Sequence, residues 1–318
     1  MAWLAEVRAD FAKSQQIITK HLIMTKLKNT DPNLQFLQTD VVGSLFLIIL
    51  VSGGRSSAMM ARHVQTSEKY KDYEKLYVFC NTGQERPETI EFLKDIVKFW
   101  NIPLNIIEGV YSDETGVGVK SKLVDFDTLD MSGRVFSQAI GQLNKHKWTG
   151  VPNTATPYCS DYLKTLVSHD FARKIFGTTK YLKAIGYRKE DMPKRVTLYE
   201  LSQDKKRIAP LLTDFEQPIG QRDLNVFFDN EPFKLNIHSK LGNCELCWKK
   251  SERNLIESIQ FGTRFIDWHK EHELKYGNMF FRNNLSITDL VKIAESGVQT
   301  NLLQDFNEVD EACVCSFV

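Results

Sequence analysis

The apolar segment at residues 41–51, interrupted only by Gly43 and Ser44, stops at the sequence Ser-Gly-Gly-Arg-Ser-Ser. It is far shorter than the roughly 20 apolar residues that a membrane-spanning helix needs. Its part at 45–51 is an unbroken apolar run, which is typical of a strand that is buried on both faces of a parallel sheet. The segment therefore predicts a central strand that ends in a turn at residues 52–57.

Strand-like and helix-like patterns alternate after this strand. Helices are predicted over 56–67, 87–102 and 159–177. A strand that ends in a turn is predicted within 75–83, a strand over 104–110, and a strand that runs into a charged loop within 181–191. Pro87 stands at the start of the second helix, where proline is tolerated. Residues 112–135 are polar and weakly patterned, so they are predicted to form a loop. The alternation predicts an α/β fold with a doubly wound, Rossmann-like parallel sheet.

Three regions are predicted along the chain. Residues 1–40 carry apolar side chains at helical spacing and are predicted to form a helical N-terminal extension. Residues 41–205 would form the α/β domain. Residues 206–318 would form a smaller helical C-terminal appendage, which contains a close pair of cysteines.

The net charge of +1 over 318 residues gives no global preference for nucleic acid or a membrane surface. The N-terminal segment has early acidic residues and no small-residue cleavage site, unlike a signal peptide. We therefore expect a cytoplasmic protein without a membrane partner. In such a chain the cysteines are not expected to form a disulfide framework. They stand at Cys80, Cys159, Cys244, Cys247, Cys313 and Cys315.

The glycine turn after the first strand has the composition of a phosphate site. Ligands of open parallel sheets bind beyond the carboxyl ends of the strands. Glycines let the backbone approach an anion, serine hydroxyls and helix-start N–H groups donate to it, and arginine adds positive charge. The alternative is a plain strand-to-helix turn with a serine cap. The composition favours the phosphate site, formed by Ser52, Gly53, Gly54, Arg55, Ser56 and Ser57.

Four stretches, in order along the chain, resemble one known family. The sequence SGGRSSAMM at 52–60 resembles the pyrophosphate-binding loop of the ATP-pyrophosphatase (PP-loop) superfamily, especially its phosphoadenosine-phosphosulfate (PAPS) reductase-like branch. The stretches at 81–96 and 184–195 resemble its Thr-Gly turn and its Gly-x-Arg loop. The Pro-Leu segment at 208–215, followed by GNCELCWKK at 242–250, resembles its C-terminal part.

The resemblance implies a nucleotide site and a set of catalytic residues. Thr82, Gly83, Gly186 and Arg188 would join the loop at 52–57 around ATP, or a related adenine nucleotide, with Mg²⁺. Arg55, Arg188 and Cys247 would be catalytic. Two simpler interpretations remain open: a solvated charged loop around Arg188, and an ordinary turn at Thr82 and Gly83.

Cys244 and Cys247 are spaced so that their thiolates can share one metal, and Cys159 matches a family position. These three cysteines could hold a [4Fe–4S] cluster, or zinc with His238 or His169 as a further ligand. Cys244 and Cys247 could instead be a redox dithiol or two buried small side chains. On the predicted helix near Trp268, His269 and His272 are expected to lie on the surface.

Two enzymatic functions follow from the resemblance. The first is ATP-dependent adenylation of an acceptor followed by sulfur transfer, with pyrophosphate release. The second is thiol-dependent reduction of a sulfonucleotide to sulfite, although the Glu-Cys-Gly setting of the reductases' catalytic cysteine is absent. A third possibility is a non-enzymatic module that binds a nucleotide or zinc. The expected partners are an adenine nucleotide, a nucleic-acid or nucleotide acceptor, and a thioredoxin-like or sulfur-donor protein.

Overall fold

The computed structural model describes residues 45–296 except 115, 147–148, 239–240 and 243. The predicted N-terminal extension at 1–40, as well as Cys313 and Cys315, lies outside the described residues. Within the part that is described, no helix combines the length and the apolar character needed to cross a bilayer.

Six strands form one mixed sheet at the centre of the fold. They are β1 Leu45–Leu50, β2 Tyr73–Cys80, β3 Leu104–Tyr111, β4 Val119–Val124, β5 Leu182–Ala184 and β6 Arg207–Ile208. Their spatial order is β4-β3-β2-β1-β5-β6, and every pair is parallel except β3 with β4. The order reverses between β1 and β5. The doubly wound α/β fold predicted from the sequence is confirmed.

Helices cover both faces of this sheet and form the C-terminal part of the described chain. They are α1 Arg55–Thr66, α2 Pro87–Trp100, α3 Arg134–His146, α4 Leu166–Phe176, α5 Leu198–Gln203, α6 Pro210–Thr213, α7 Gln221–Asp229, α8 Glu252–Gln260, α9 Ile266–Tyr276 and α10 Ile287–Glu295. A π-helical turn, Asp161–Thr165, leads directly into α4. Such turns widen a helix by one residue and are often found at functional sites.

β1 is buried on both faces, as its apolar run predicts. Leu47 and Ile49 are 0% exposed and belong to the core formed with α1 and α2. Ile48 and Leu50 point the other way, into the core formed with α4. The alternation follows from the two-residue period of a strand. The carboxyl end of β1 is therefore held rigidly between two helical layers.

The prediction of a loop over 112–135 is wrong for residues 119–124. Residues 119–124 form the antiparallel edge strand β4, which pairs with β3 from Tyr111 opposite Val119 to Ile106 opposite Val124. Lysines at 120 and 122 lower the strand propensity of this segment, which is why its sequence reads as a loop. Lysines are common on edge strands, where they discourage pairing with other chains.

The C-terminal part of the described chain does not form a separate layer. β6 lies two residues beyond the predicted boundary at 205, and Leu224 and Phe228 of α7 pack into the core of α1 and α2. A third core joins α3, α9 and α10, including Phe136, Phe280 and Leu290. The boundaries at 40 and 205 stay predictions.

A buried carboxylate joins α9 to α10. Glu273 accepts hydrogen bonds from the backbone N–H of Phe280 at 3.3 Å and of Ile287 at 3.0 Å. Burial raises the pKa of Glu273 from 4.5 to about 7. Between these two values the folded chain holds a proton that the unfolded chain has lost. Stability should therefore fall as pH rises from about 4.5 to 7, and this contribution should not change further above pH 7.

We predict that Glu273→Gln removes this part of the pH dependence, because the amide does not titrate. Urea unfolding at several pH values between 4.5 and 7.5 measures the slope. Glu271→Gln on the exposed face of the same helix is the matched control and should keep the wild-type slope. Equal slopes for Glu273→Gln and the wild type would contradict the assignment of this titration to Glu273.

Candidate active site

The turn at 52–57 is closed by one buried hydroxyl. Ser57 Oγ accepts hydrogen bonds from the N–H and the hydroxyl of Ser52, both at 3.0 Å, and donates to the carbonyl of Gly54 at 2.9 Å. Ser57 is 3% exposed. Gly54 stands at the N-cap of α1, and no side chain makes a capping hydrogen bond there. The serine cap considered as an alternative is therefore absent from α1.

The first turn of α1 has the features of an anion site. The N–H groups of Arg55, Ser56 and Ser57 begin the helix and have no carbonyl partner within it. The first turn contains no acidic residue. Because the helix dipole adds positive potential, this end of α1 favours a negatively charged group.

Two glycines allow neighbouring segments to approach the turn. Gly53 has a φ of +78°, and a Cβ there would lie 2.4 Å from the side-chain methyl of Thr89. A Cβ on Gly186 would lie 2.9 Å from both N and Cα of Ser57. The Gly-x-Arg loop therefore packs directly on the start of α1, and the contact of Gly186 and Arg188 with a nucleotide stays a prediction.

Arg55 and Arg188 are joined through two side chains of α7. Arg55 Nη1 donates to Asn225 Oδ1 at 2.9 Å, and Gln221 Nε2 donates to the same oxygen at 3.0 Å. Arg188 Nη1 donates to Gln221 Oε1 at 2.6 Å. Burial lowers the pKa of Arg55, and the nearby Arg188 guanidinium lowers it further. The two guanidinium groups are thus held near each other beside the turn.

Arg188 is only 5% exposed, so the solvated-loop interpretation is wrong for this residue. Its backbone N–H donates to Asp191 Oδ2 at 2.8 Å. Its Nε lies 3.9 Å from carboxylate oxygens of both Glu190 and Asp191, too far for hydrogen bonds. The two acids balance its charge and leave part of its hydrogen-bonding capacity available.

Sequence reasoning missed Gln221 and Asn225. They lie one helical turn apart on α7, in the segment predicted to be an appendage. Neither belongs to a stretch that resembles the family. The i, i+4 spacing of two amides is a weak signal, because such pairs are common on exposed helix faces.

Thr82 and Gly83 follow β2, but both are buried against other protein groups. Thr82 is 0% exposed, and its hydroxyl lies 2.8 Å from Glu85 Oε1 and 3.4 Å from Cys244 Sγ. A Cβ on Gly83 would lie 2.2 Å from Asp130 Oδ2. Thr82 therefore faces the cysteines, and its contact with a nucleotide stays a prediction.

The three predicted ligand cysteines line one cavity. The cavity is formed by the β2 turn, the chain leading into α4, the cysteine loop (residues 241–242 and 244–250), α3, α9 and the segment after α9. Its lining residues are Thr82, Gln84, Phe136, Cys159, Ser160, Leu163, Lys164, Cys244, Leu246, Cys247, Trp248, Lys249, His269 and Phe280. Cys244 and Cys247 pack against each other. Trp248 Nε1 donates to Cys159 Sγ at 3.3 Å. The π-helical turn before α4 presents the carbonyl of Lys164 to Cys80 Sγ at 3.7 Å.

This donor set fits a thiophilic metal chemically, because three sulfur atoms face one buried space. The cavity has a volume of about 20 Å³, enough for one water molecule. Among the described residues, no three side chains of His, Cys, Asp or Glu converge closely enough to hold a metal ion. A metal group would therefore require the three cysteine side chains to rearrange. Neither His169 nor His238 lines the cavity, so the predicted zinc ligand sets are not assembled.

His269 lines the cavity instead, and its predicted surface position is wrong. His269 is 1% exposed and His272 is 5% exposed. His269 Nδ1 lies 2.8 Å from the carbonyl oxygen of Phe265, and its ring packs on Phe280. Burial lowers its pKa to about 4, which keeps the ring neutral near pH 7. Phe280 and Phe281, which follow α9, pack on the His269 ring, and Trp268 of the same helix packs on both histidines.

Buried charges hold the cysteine loop in place. Lys250 is 1% exposed, and its Nζ donates to the carbonyls of Leu241 at 3.3 Å and Glu245 at 3.0 Å. Arg86 Nε also donates to the Leu241 carbonyl, at 3.2 Å. The Glu245 carboxylate accepts from Arg264 Nε at 3.0 Å. These contacts fix the loop at the carboxyl end of the sheet.

Comparisons with known proteins found one protein of similar sequence and one solved structure that aligns with this chain. No protein-family model matches it. The uncharacterized nin region protein ORF290 of Escherichia phage lambda is 27% identical over 274 residues, covering 81% of this chain and 88% of that protein. The solved structure of the U34-tRNA thiolase NcsA from Methanococcus maripaludis, with its [4Fe-4S] cluster, is 15% identical. That alignment covers 94% of this chain and 88% of the thiolase chain, with a TM-score of 0.31.

We predict that Gly186→Ala destabilises the fold by about 1–3 kcal/mol, because its new methyl would overlap the backbone of Ser57. Chemical denaturation measures the loss. Gly141→Ala is the matched control: its methyl would meet only the Tyr276 hydroxyl at 3.8 Å, and alanine is the better helix former in α3. If both variants lost the same stability, the close approach of the Gly-x-Arg loop to α1 would be disproved.

Proposed function

We propose that the chain binds ATP with Mg²⁺ at the turn 52–57 and uses it to adenylate an acceptor, which a sulfur nucleophile then attacks. The observation that carries this proposal is that Arg55, the first residue of the uncapped helix α1, is linked to Arg188 through Asn225 and Gln221. Two guanidinium groups and a set of backbone N–H groups suit the oxygen atoms of a leaving pyrophosphate.

No atom changes its oxidation state in the proposed reaction. An acceptor oxygen attacks the α-phosphorus, the α–β phosphoanhydride bond breaks, and pyrophosphate leaves with its charge neutralised by Mg²⁺, Arg55 and Arg188. A sulfur nucleophile at the level of sulfide then displaces AMP from the activated carbon. The product carries sulfur where the acceptor carried oxygen.

Ser57 and Gly186 have supporting roles in this proposal. Ser57 fixes the path of the turn through its contacts with Ser52 and Gly54. Gly186 lets the loop that carries Arg188 lie against α1. Asn225 and Gln221 hold the two guanidinium groups at a fixed separation. Preorganised positive charge of this kind favours the charge that develops on the leaving group.

Cys159, Cys244 and Cys247 would hold a thiolate-bound metal group if their side chains rearranged to converge on it. A [4Fe–4S] cluster with three protein ligands would offer an open iron to a sulfur species, and zinc would have a structural role. In either case Trp248 orients Cys159 through its indole N–H. Lys249 Nζ donates to Ser160 Oγ at 2.9 Å, which keeps a positive charge near this helix start.

A second candidate function rests on the contact between Cys244 and Cys247. A thiolate, with Cys247 as the nucleophile, could attack the sulfur of a sulfonucleotide, releasing the nucleotide phosphate and forming an S-sulfonated cysteine. The other thiol would then displace sulfite and leave a disulfide. A dithiol protein of the thioredoxin type would reduce that disulfide. The third candidate is a module that binds a nucleotide or zinc without turnover.

The first test is calorimetric binding of Mg·ATP, pyrophosphate and AMP to the full chain. We expect Arg188→Gln to weaken ATP and pyrophosphate binding at least about tenfold, a cost of about 1.4 kcal/mol, and to change AMP binding much less. Arg282→Gln, an exposed arginine outside the site, is the control and should bind all three ligands as the wild type does. Equal losses for ATP and AMP, or no pyrophosphate binding, would reject the loop as a pyrophosphate site.

A second experiment separates the candidate reactions. Pyrophosphate release from ATP in the presence of sulfide and cellular acceptors is compared with sulfite release from PAPS in the presence of a dithiol reductant. Pyrophosphate release that Arg55→Gln abolishes would support adenylation. Sulfite release that Cys247→Ser abolishes would instead support reduction of a sulfonucleotide. Nucleotide binding without either product would favour the non-enzymatic module.

We also predict that Asn225→Ala weakens pyrophosphate binding about three- to tenfold, because Arg55 loses the oxygen that orients it. Val226→Ala, the exposed neighbour on α7, is the control. Unfolding midpoints of the two variants should agree. A loss of stability in Asn225→Ala without any change in pyrophosphate binding would show that Asn225 does not position Arg55 for the ligand.

A further inference from the structure

Six cations lie on β4, on α4, on β5 and at or just before β6. We call this set the basic ridge and define it as Lys120, Arg173, Lys174, Lys183, Lys206 and Arg207. The candidate site uses none of its residues.

One end of the basic ridge is organised around a buried acid. Asp170, with a side chain 5% exposed, lies 2.6 Å from Lys174 Nζ, 3.7 Å from Arg173 Nη2 and 3.9 Å from Lys120 Nζ. Asp170 Oδ2 also accepts hydrogen bonds from the N–H of Ser121 at 2.8 Å and from its hydroxyl at 2.7 Å. The three cations are roughly half exposed. One carboxylate thus fixes three cations and leaves an excess of positive charge.

The other end places like charges side by side. Lys183 of β5 lies directly opposite Arg207 of β6, and Lys206 precedes Arg207. Burial lowers the pKa of Lys183, and Arg207 and Lys206 lower it further. Asp204 pairs with Arg207 at 2.5 Å. Like charges opposite each other destabilise a sheet. Asp204 offsets part of this repulsion, and a bound anion would relieve the rest.

His169 and Arg173 connect the two ends. Burial lowers the pKa of His169, and the positive charges of Lys183 and Arg173 lower it further. His169 therefore adds no repulsion near pH 7. Its ring centroid lies 6.1 Å from that of Tyr181, which follows α4. Arg173 of one end and Lys183 of the other are thus both close enough to His169 to act on it.

We propose that the basic ridge binds the phosphodiester backbone of a nucleic acid. Six cations face three carboxylates, Asp170, Asp204 and Glu200, in a chain whose net charge is only +1. The cations are held at fixed positions by a helix and strands, which suits the regular spacing of backbone phosphates. Tyr199 on α5, the helix that leads into β6, is 75% exposed and offers a ring on which a base can stack.

The basic ridge does not depend on the turn 52–57, so this proposal and the proposed function can fail separately. A chain that binds nucleic acid without ATP would keep the first and reject the second. If both hold, the nucleic acid is the class of acceptor that the adenylation would modify.

The test is fluorescence anisotropy of labelled single-stranded and duplex oligonucleotides with the full chain, between 50 and 200 mM salt. The variant Lys183→Gln with Lys206→Gln removes two charges at the strand end. Each lost phosphate contact should lower the slope of log K against log salt by about 0.7 to 0.9, so the slope should fall by about 1.4 to 1.8. Affinity at 50 mM salt should fall at least about tenfold.

The control is Lys71→Gln with Lys94→Gln, two exposed lysines on other elements whose partners are the exposed Glu68 and Glu91. It should bind like the wild type. Because Lys183 faces Arg207, its replacement should not lower the unfolding midpoint, so weaker binding cannot be attributed to misfolding.

Three results would overturn the proposal. They are no oligonucleotide binding at 50 mM salt, equal losses in the control and ridge variants, and binding to vesicles of anionic phospholipid but not to oligonucleotides.

Discussion

The candidate site depends on the docking of one loop onto the end of β2. Glu85 pairs with Cys244 in an isolated antiparallel bridge, and the N–H of Glu245 donates to the carbonyl of Gln84 at 2.9 Å. These contacts join segments about 160 residues apart in sequence. Arg86 and Lys250 reinforce them by donating to backbone carbonyls from inside the protein. Since a buried cation without such partners is costly, this loop has one well-defined position, and all three cavity cysteines depend on it.

The same docking places two different chemistries at one edge of the sheet. The turn after β1 offers N–H groups and arginines, which suit phosphate, whereas the turn after β2 leads to sulfur atoms in an apolar cavity. Both turns are extensions of strands buried between helical layers, so their relative position is set by the core. Arg55 and Arg188 add a second link, because α7 bonds to both. The C-terminal segment therefore contributes to both halves of the candidate site.

The sequence predicted the central strand, the doubly wound α/β fold and the glycine turn, because a continuous apolar run, the alternation of strands and helices, and a Gly-Gly turn are local signals. It did not predict β4, whose lysines mask a strand that backbone pairing with β3 stabilises. It also misplaced His269, since two of the aromatic side chains that pack on it, Phe280 and Phe281, come from outside its helix. Gln221 and Asn225 were missed because their role arises only when α7 packs beside α1. Local patterns thus predicted the elements, and long-range packing decided which polar side chains meet.

The π-helical turn Asp161–Thr165 has a consequence for how this chain tolerates insertions and deletions. It contains one residue more than a regular α-helical path would need between Cys159 and α4. Each residue of an α-helix turns the chain by about 100°. Deleting one residue at 161–165 would restore a regular helix but rotate Cys159 away from Trp248 and the cavity. The irregular turn is thus what allows a helix packed on the sheet to present a cysteine to the cavity. A change of length there would leave α4 packed on the sheet but would move Cys159 out of the cavity.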